Sequence, residues 1–154
     1  MKCAQLDGAV PGPCFDFWIC QGRLCRSQGA DRLQQAIDHA VSSDGDTRVR
    51  VLRGGCYGLC ELSANVVVRR WENADDLPET TTDRLRLSEQ ENETVYCQVE
   101  LEHVPQILKA HLQHDKALVS LTRETRESSN QAPNSTAEKI RSLRQKKGPE
   151  PQSR

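Results

Sequence analysis

The chain has 154 residues and a formal net charge of −1, with 36% hydrophobic, 4% aromatic and 28% charged residues. This length and composition predict one domain with a small core that is aliphatic rather than aromatic. No run approaches the roughly 18 apolar residues of a membrane helix, and residues 1–8 lack the apolar stretch of a signal peptide. These two observations exclude membrane insertion and secretion, and they predict a cytoplasmic protein.

The first predicted elements are a leader, a strand and a helix. Residues 1–13 hold two glycines and two prolines, which predicts a flexible leader. Residues 15–19 are aromatic and β-prone, so a strand there runs into Cys20. Asp31 can cap the helix that follows, because apolar residues recur behind it at helical spacing. These residues are Leu33, Ala36, Ile37, Ala40 and Val41.

Three further strands and a second helix follow. Residues 48–52 alternate polar and apolar side chains and end in two glycines, so this strand leads to Cys56. Residues 66–71 and 94–101 predict two more strands, and residues 104–112 predict an amphipathic helix. The order strand–helix–strand–strand–strand–helix predicts a parallel crossover followed by an antiparallel hairpin. This layout resembles the thioredoxin-like α/β fold, a small mixed sheet with helices packed on it.

Charge is distributed unevenly along the chain. Residues 72–93 carry eight acidic residues against two arginines, which predicts an exposed loop inserted in a domain that spans residues 14–121. Residues 122–154 are rich in basic and small polar residues and are predicted to form a disordered basic tail. The acidic loop is interpreted either as a solvated insertion or as a docking site for a basic redox partner. No part of the chain interleaves basic and aromatic residues as a nucleic-acid site does.

The most informative residues are four cysteines in two glycine-containing loops, each at the end of a predicted strand. Four residues separate Cys20 from Cys25, and three separate Cys56 from Cys60. In a reducing compartment, seven cysteines indicate metal binding or redox chemistry rather than a disulfide framework. A dithiol catalyst of the thioredoxin type needs Cys-x-x-Cys at a helix start, and the chain has none.

Two kinds of metal centre remain open on spacing alone. Zinc knuckles space each pair by two to four residues, and one Zn²⁺ needs its sulfurs about 2.3 Å from one point. Here 30 residues, with a predicted helix and strand, separate the two pairs. A two-iron cluster is larger than one ion and suits these spacings better, so the pattern favours the cluster and keeps zinc as the alternative.

The cysteine spacing on this order of elements resembles the thioredoxin-like [2Fe-2S] ferredoxins, a family that includes the small iron–sulfur subunit of NADH dehydrogenases. The likeness runs over residues 15–121 and includes Gly-Gly-Cys-Tyr-Gly-Leu-Cys at 54–60 and the closing segment at 96–112. The chain departs from the family at residues 61–65, where a Gly-Pro turn is usual. Only 19 residues precede Cys20, where the dehydrogenase subunit has a helical region, which favours a free-standing carrier or a subunit of a smaller assembly.

This resemblance implies one [2Fe-2S] cluster per chain, with four ligands: Cys20, Cys25, Cys56 and Cys60. It implies a protein that is no enzyme by itself, that carries single electrons between redox partner proteins, and that forms a homodimer. Three nearby glycines would let backbone N–H groups approach the sulfurs, or are ordinary turn residues: Gly22, Gly55 and Gly58. The alternatives are a regulatory module that senses redox state or oxygen, and a zinc-stabilised interaction domain.

The other cysteines are predicted to be bystanders. Cys97 falls on the apolar side of a strand and is expected to be a buried, inert thiol, whereas Cys3 is expected to be exposed. Cys14 lies six residues before Cys20 and is the weaker candidate for a ligand.

The histidines and aromatic residues near the loops are also expected to have structural roles. No histidine pairs with the cysteine loops, so ligation of the Rieske type, by two histidines, is disfavoured; the chain has His39, His103, His111 and His114. His111 is expected to be a satisfied core or surface residue. Trp18 and Tyr57 flank the predicted ligands, and packing is favoured over a role as a cluster shield or electron path.

Overall fold

The computed structural model describes residues 12–77 and 92–131. Within these ranges the chain forms four strands and four α-helices. The strands are β1 (Cys14–Ile19), β2 (Val49–Arg53), β3 (Val66–Trp71) and β4 (Glu93–Tyr96). The helices are α1 (Arg23–Ser27), α2 (Ala30–Asp44), α3 (Val104–His114) and α4 (Arg123–Gln131). Among these helices, none is both long and apolar enough to cross a lipid bilayer.

The four strands form one mixed sheet in the order β2–β1–β3–β4. β1 and β2 are parallel, with Phe15 opposite Val49, and α1 and α2 connect them along the chain. β3 runs antiparallel to β1, and β4 runs antiparallel to β3. The predicted thioredoxin-like α/β fold is therefore confirmed, including the parallel first pair and the antiparallel strands that follow it.

The apolar core lies between one face of this sheet and the long helices. Phe15, Phe17 and Ile19 of β1 are completely buried in it. Leu33 and Ile37 of α2 pack into the same cluster, as the helical spacing predicted, and Ala36, Ala40 and Val41 pack against it while partly exposed. α3 contributes Val104, Ile107 and Leu108. The strand that leads to Cys20 is thus held rigidly by packing along its whole length.

The opposite face of the sheet carries a row of alternating charges across all four strands, called the charged row below. In register, Arg50 faces Asp16, Asp16 faces Arg69, and Arg69 faces Glu93. Arg50 Nε and Nη2 donate to the two oxygens of Asp16, each at 2.6 Å, and Arg69 donates to Glu93 at 2.8 Å. Trp71 Nε1 also donates to Asp16, at 2.9 Å. These groups tolerate burial because each charge has an opposite neighbour.

Two predicted boundaries need correction near the ends of elements. Cys25 lies inside the short helix α1 rather than in a loop, and α2 begins at Ala30 after Gly29, whose φ of 94° is left-handed, with no side-chain cap from Asp31. β4 stops at Tyr96, whereas the alternation predicted a strand over residues 94–101. The strand ends there because Gln98 has a φ of 52° and the next N–H groups donate elsewhere. Those of Cys97, Gln98 and Val99 donate to Leu121, Leu62 and Ala64.

The tail prediction also needs correction where it begins. Residues 122–154 were expected to be disordered, but α4 occupies the first part of this segment. Its apolar content is low, and local pairs support it instead: Arg123 Nε donates to Glu127 at 2.8 Å, one helical turn away. The leader up to residue 11, including Cys3, most of the acidic loop, at 78–91, and the tail from residue 132 lie outside the described residues.

Candidate metal centre

The first cysteine pair lies where β1 meets α1. Cys20 directly follows the last residue of β1, and its N–H donates to the carbonyl of Asn65 at 3.0 Å. Cys25 lies within α1, and both side chains are buried, with 1% and 2% of their surface exposed. The N–H of Arg26 closes the first turn of α1 onto the carbonyl of Gly22. The first pair is therefore attached to one strand and one helix of the packed core.

The second pair lies in the loop after β2 and is exposed. Cys56 follows Gly54 and Gly55, and Cys60 begins a short 3₁₀ turn. Two backbone hydrogen bonds tie this loop to the end of β1: the N–H of Gly54 donates to Ile19 at 2.8 Å, and that of Gln21 donates to Gly55 at 3.1 Å. The two cysteine loops are thus adjacent because β1 and β2 are parallel neighbours whose carboxyl ends meet at one edge of the sheet.

Gly22 is the point at which the two pairs meet. A β-carbon at this position would lie 3.1 Å from Cys56 Sγ and 3.5 Å from Cys20 Sγ. Since a contact of 3.1 Å is tighter than side chains normally make, the absence of a side chain at Gly22 allows both thiols to approach this point. Gly58 differs, because its φ of 74° favours glycine while the space around it is open. The predicted close approach is therefore seen at Gly22, and Gly58 acts as a turn residue.

The thiols of the two pairs influence each other's protonation. A hydrogen bond from the Cys25 thiol lowers the pKa of Cys20 to about 6, against the effect of burial, and the backbone N–H groups of Gly22 and Tyr57 act in the same direction. The same Cys20–Cys25 contact, with burial, raises the pKa of Cys25. A hydrogen bond with the Cys56 side chain raises the pKa of Cys60. The thiols thus interact within two pairs, 20 with 25 and 56 with 60.

This arrangement can be compared with the two metal centres left open by the sequence. Among the described residues, no three side chains of His, Cys, Asp or Glu converge tightly enough to hold one metal ion. Four thiolates are the donor set of a [2Fe-2S] cluster, in which each iron takes two protein ligands. Two coupled pairs that meet at Gly22 fit this larger group better than one tetrahedral Zn²⁺.

The loop after Cys60 contains a residue that the sequence reasoning missed. Asn65 is buried, and its Nδ2 donates to the carbonyl of Leu59 at 3.0 Å and to Cys25 Sγ at 3.6 Å. It therefore joins the second loop to the first pair, across the segment where the family's Gly-Pro turn is absent. The signal in the sequence is slight: a polar residue directly before the apolar run that begins at Val66.

Cys97 and His111 lie in the fold as expected. Cys97 is fully buried, and burial raises the pKa of its thiol to about 11. Cys14 is also buried, at the start of β1, six positions from Cys20. His111 is confirmed as a satisfied core residue, because it lies against Phe15 and its Nε2 is 2.7 Å from the hydroxyl of Tyr96.

Comparison with known proteins gives a structural match only. No protein-family model and no curated protein matches the sequence. The thioredoxin-like [2Fe-2S] ferredoxin from Aquifex aeolicus is similar in structure, with a TM-score of 0.52 and 18% identity over 71% of this chain and 96% of that one. A second structure of a ferredoxin of this kind from the same organism gives a TM-score of 0.50 at 18% identity, covering 71% and 89%. A cysteine-to-serine variant of the ferredoxin gives 0.52 at 17%, covering 71% and 97%. The resemblance found in the sequence is confirmed at the level of the fold.

Proposed function

We propose that this protein is a one-electron carrier in which Cys20, Cys25, Cys56 and Cys60 hold one [2Fe-2S] cluster. The observation that carries this proposal is the meeting of the two cysteine loops at Gly22, where only a hydrogen atom separates the backbone from two thiols of different pairs. The structural likeness to a thioredoxin-like [2Fe-2S] ferredoxin supports it.

A bound cluster of this kind accepts and releases one electron at a time. The chain provides different surroundings for the two cysteine pairs that would hold the cluster. Cys20 and Cys25 are buried against the core, and the N–H groups of Gly22 and Tyr57 favour the negative charge on Cys20. Cys56 and Cys60 are exposed, so this edge is the one that a partner protein can approach. The buried half fixes the cluster, and the exposed half is the proposed route for the electron.

The carrier is proposed to act between redox partner proteins in the cytoplasm, without bond chemistry of its own, and to form a homodimer. The acidic loop stays either a solvated insertion or a docking site for a basic redox partner.

The deciding experiment is anaerobic purification of the full chain with iron and acid-labile sulfide analysis. Two irons and two sulfides per chain are expected, with an S = 1/2 EPR signal after reduction with dithionite. A colourless protein with one zinc per chain would replace the carrier by the zinc-stabilised interaction domain. A cluster whose oxidation abolishes binding to a defined partner would instead identify a redox-sensing module.

A further inference from the structure

Tyr57 lies between the two cysteines of the second loop, and its side chain turns back onto the sheet. The ring packs against the cluster formed by Trp18 and Val67, beside Leu52 and Val95. The loop that carries the exposed pair is therefore fixed to the sheet by a large side chain of its own. Contacts of this kind hold a site more firmly than hydrogen bonds at the surface do.

The ring rests on Gly54. A β-carbon at Gly54 would overlap the Tyr57 hydroxyl oxygen and would lie 2.8 Å from Cζ of the ring. It would also lie 3.2 Å from the carbonyl oxygen of Ile19, so the backbone cannot simply shift away. Gly54 itself is fixed, because its N–H donates to that same carbonyl at 2.8 Å. Any residue larger than glycine at position 54 must displace Tyr57.

The hydroxyl group does not hold Tyr57 in place. Its oxygen is buried without a hydrogen-bond partner among the described residues, and burial raises the pKa of the phenol. An unpaired buried hydroxyl costs free energy rather than contributing it. The shape of the ring, and not the polar group, therefore accounts for the anchor.

We propose that Tyr57 is a positioning residue of the metal centre, anchored on Gly54, and that it sets the place of the Cys56–Cys60 loop relative to the buried pair. This proposal rests on the function proposed above. Gly54, on which the ring rests, donates its N–H to the carbonyl of Ile19, the residue directly before Cys20, so the anchored ring also bears on the strand end that carries the first pair. One side chain thus links both halves of the site.

The main test uses full-length protein with Gly54→Ala, Tyr57→Leu and the double variant. Gly54→Ala is expected to lose most of its bound iron and to unfold at a lower temperature, because its methyl group expels the ring. Adding Tyr57→Leu removes the obstacle, so the double variant should match Tyr57→Leu alone in iron content and melting temperature. Strictly additive losses, or a Gly54→Ala protein that behaves as the wild type, would overturn the proposal.

Tyr57→Leu alone is tested by the spectrum and potential of the cluster, which loss of packing elsewhere in the protein does not change. The reduced cluster should show altered EPR g-values and a shifted reduction potential, because the Cys56–Cys60 loop is no longer held in place. Unchanged g-values and potential would contradict a positioning role. This arm decides the matter even if Gly54→Ala fails to fold.

Tyr57→Phe and Tyr96→Phe form a matched pair. The Tyr57 hydroxyl has no partner among the described residues, whereas that of Tyr96 accepts from the N–H of Leu118 at 3.0 Å and pairs with His111. Tyr57→Phe should raise the melting temperature slightly and keep the g-values and the potential, and Tyr96→Phe should lower the melting temperature. A large loss in Tyr57→Phe would mean that the hydroxyl, not the ring, is the anchor.

The proposal can fail separately from the proposed function. If the wild type holds two irons but Gly54→Ala and Tyr57→Leu leave the cluster unchanged, the carrier stands and the anchor is rejected. If the chain holds no iron yet the melting temperatures of the two single variants and the double variant remain non-additive, the anchor stands as a feature of the loop and the carrier is rejected.

Discussion

At the scale of single residues, two thiols already fill the space beside Gly22. A methyl group there would press on Cys56 Sγ at 3.1 Å and on its β-carbon at 3.2 Å. Gly22→Ala is therefore expected to displace Cys56 by a few tenths of an ångström and to weaken cluster retention about tenfold, as changes next to metal ligands do. Iron content after gel filtration with a chelator measures this. Leu24→Ala, an exposed change on the same helix, is the control, and equal iron loss in both variants would contradict the model of a shared space.

The ligand assignment gives a second prediction at this scale. Serine at any of the four positions should abolish or strongly weaken the S = 1/2 signal, because an alkoxide replaces a soft thiolate. The four positions are 20, 25, 56 and 60. Cys97→Ser and Cys14→Ser should keep the signal, since both thiols lie within the fold away from the paired loops, although burial of a hydroxyl will cost stability. An EPR-silent Cys14→Ser protein with normal folding would reassign one ligand.

Spacing in the sequence was enough to select the four cysteines, because Cys-x4-Cys and Cys-x3-Cys are local patterns. The residues that hold these loops together were missed, because their role depends on tertiary contacts. Asn65 contacts Leu59 and Cys25 in the folded chain, where β3 is paired with β1. In the sequence Gly54 is an ordinary turn glycine, and only the structure shows that the ring of Tyr57 packs against it.

At the scale of elements, the charged row predicts how the strands depend on one another. Asp16→Asn removes the carboxylate charge that accepts from Arg50 Nε and Nη2, and the Arg50 side chain is only 8% exposed. Breaking a buried pair in this way costs about 3–5 kcal/mol of unfolding free energy. Denaturation with urea, monitored by circular dichroism, measures the change.

An exposed ion pair at the end of β2 provides the control for that prediction. Arg53 contacts Asp31 at 3.1 Å, and their side chains are 62% and 51% exposed. Arg53→Gln should therefore cost no more than about 1 kcal/mol. If the two substitutions destabilise the protein equally, then the charged row contributes no more to the sheet than a surface pair does.

The elements themselves were predictable where one side of a strand or helix is buried. The bounds of β3, residues 66–71, agree with the prediction, and its first three residues are buried valines. α1 and α4 were missed for the opposite reason: neither carries an apolar stripe, and each is a short helix supported by hydrogen bonds close in sequence. β4 was predicted too long, since alternation does not reveal that the carbonyls of Leu62, Ala64 and Leu121 would compete for the next N–H groups.

At the scale of the whole molecule, His111 joins the helical layer to the sheet. It belongs to α3, lies 5.3 Å from the ring of Phe15 of β1 between centroids, and is hydrogen-bonded to Tyr96 of β4. The parallel first pair and the antiparallel hairpin were predictable from local patterns and the rule for crossovers. The contact between His111 and Tyr96 was not predictable, because helical spacing marks His111 only as a residue near the apolar stripe.

Burial of this imidazole makes the stability of the molecule depend on pH. Burial lowers the pKa of His111 from 6.5 to about 4, and the charge of Asp115 opposes the shift only in part. Between pH 6.5 and pH 4, His111 is protonated in the unfolded chain but not in the folded chain. The contribution of His111 to the free energy of unfolding is therefore fully present above pH 6.5 and decreases as the pH falls toward 4. The difference corresponds to roughly 3 kcal/mol at the acid end. Urea unfolding between pH 8 and pH 4.5 measures this slope.

His111→Gln separates this effect from the titration of carboxylates, which both proteins share. The variant keeps an amide that can pair with the Tyr96 hydroxyl but has no group that titrates in this range. It should be less stable than the wild type at pH 8, since the aromatic contacts with Phe15 and Phe17 are lost. Its stability should change less between pH 6.5 and 4.5, so the two curves converge on acidification. Curves that stay parallel would mean that His111 takes up its proton without opening the core, and that the helical layer is held to the sheet by other contacts.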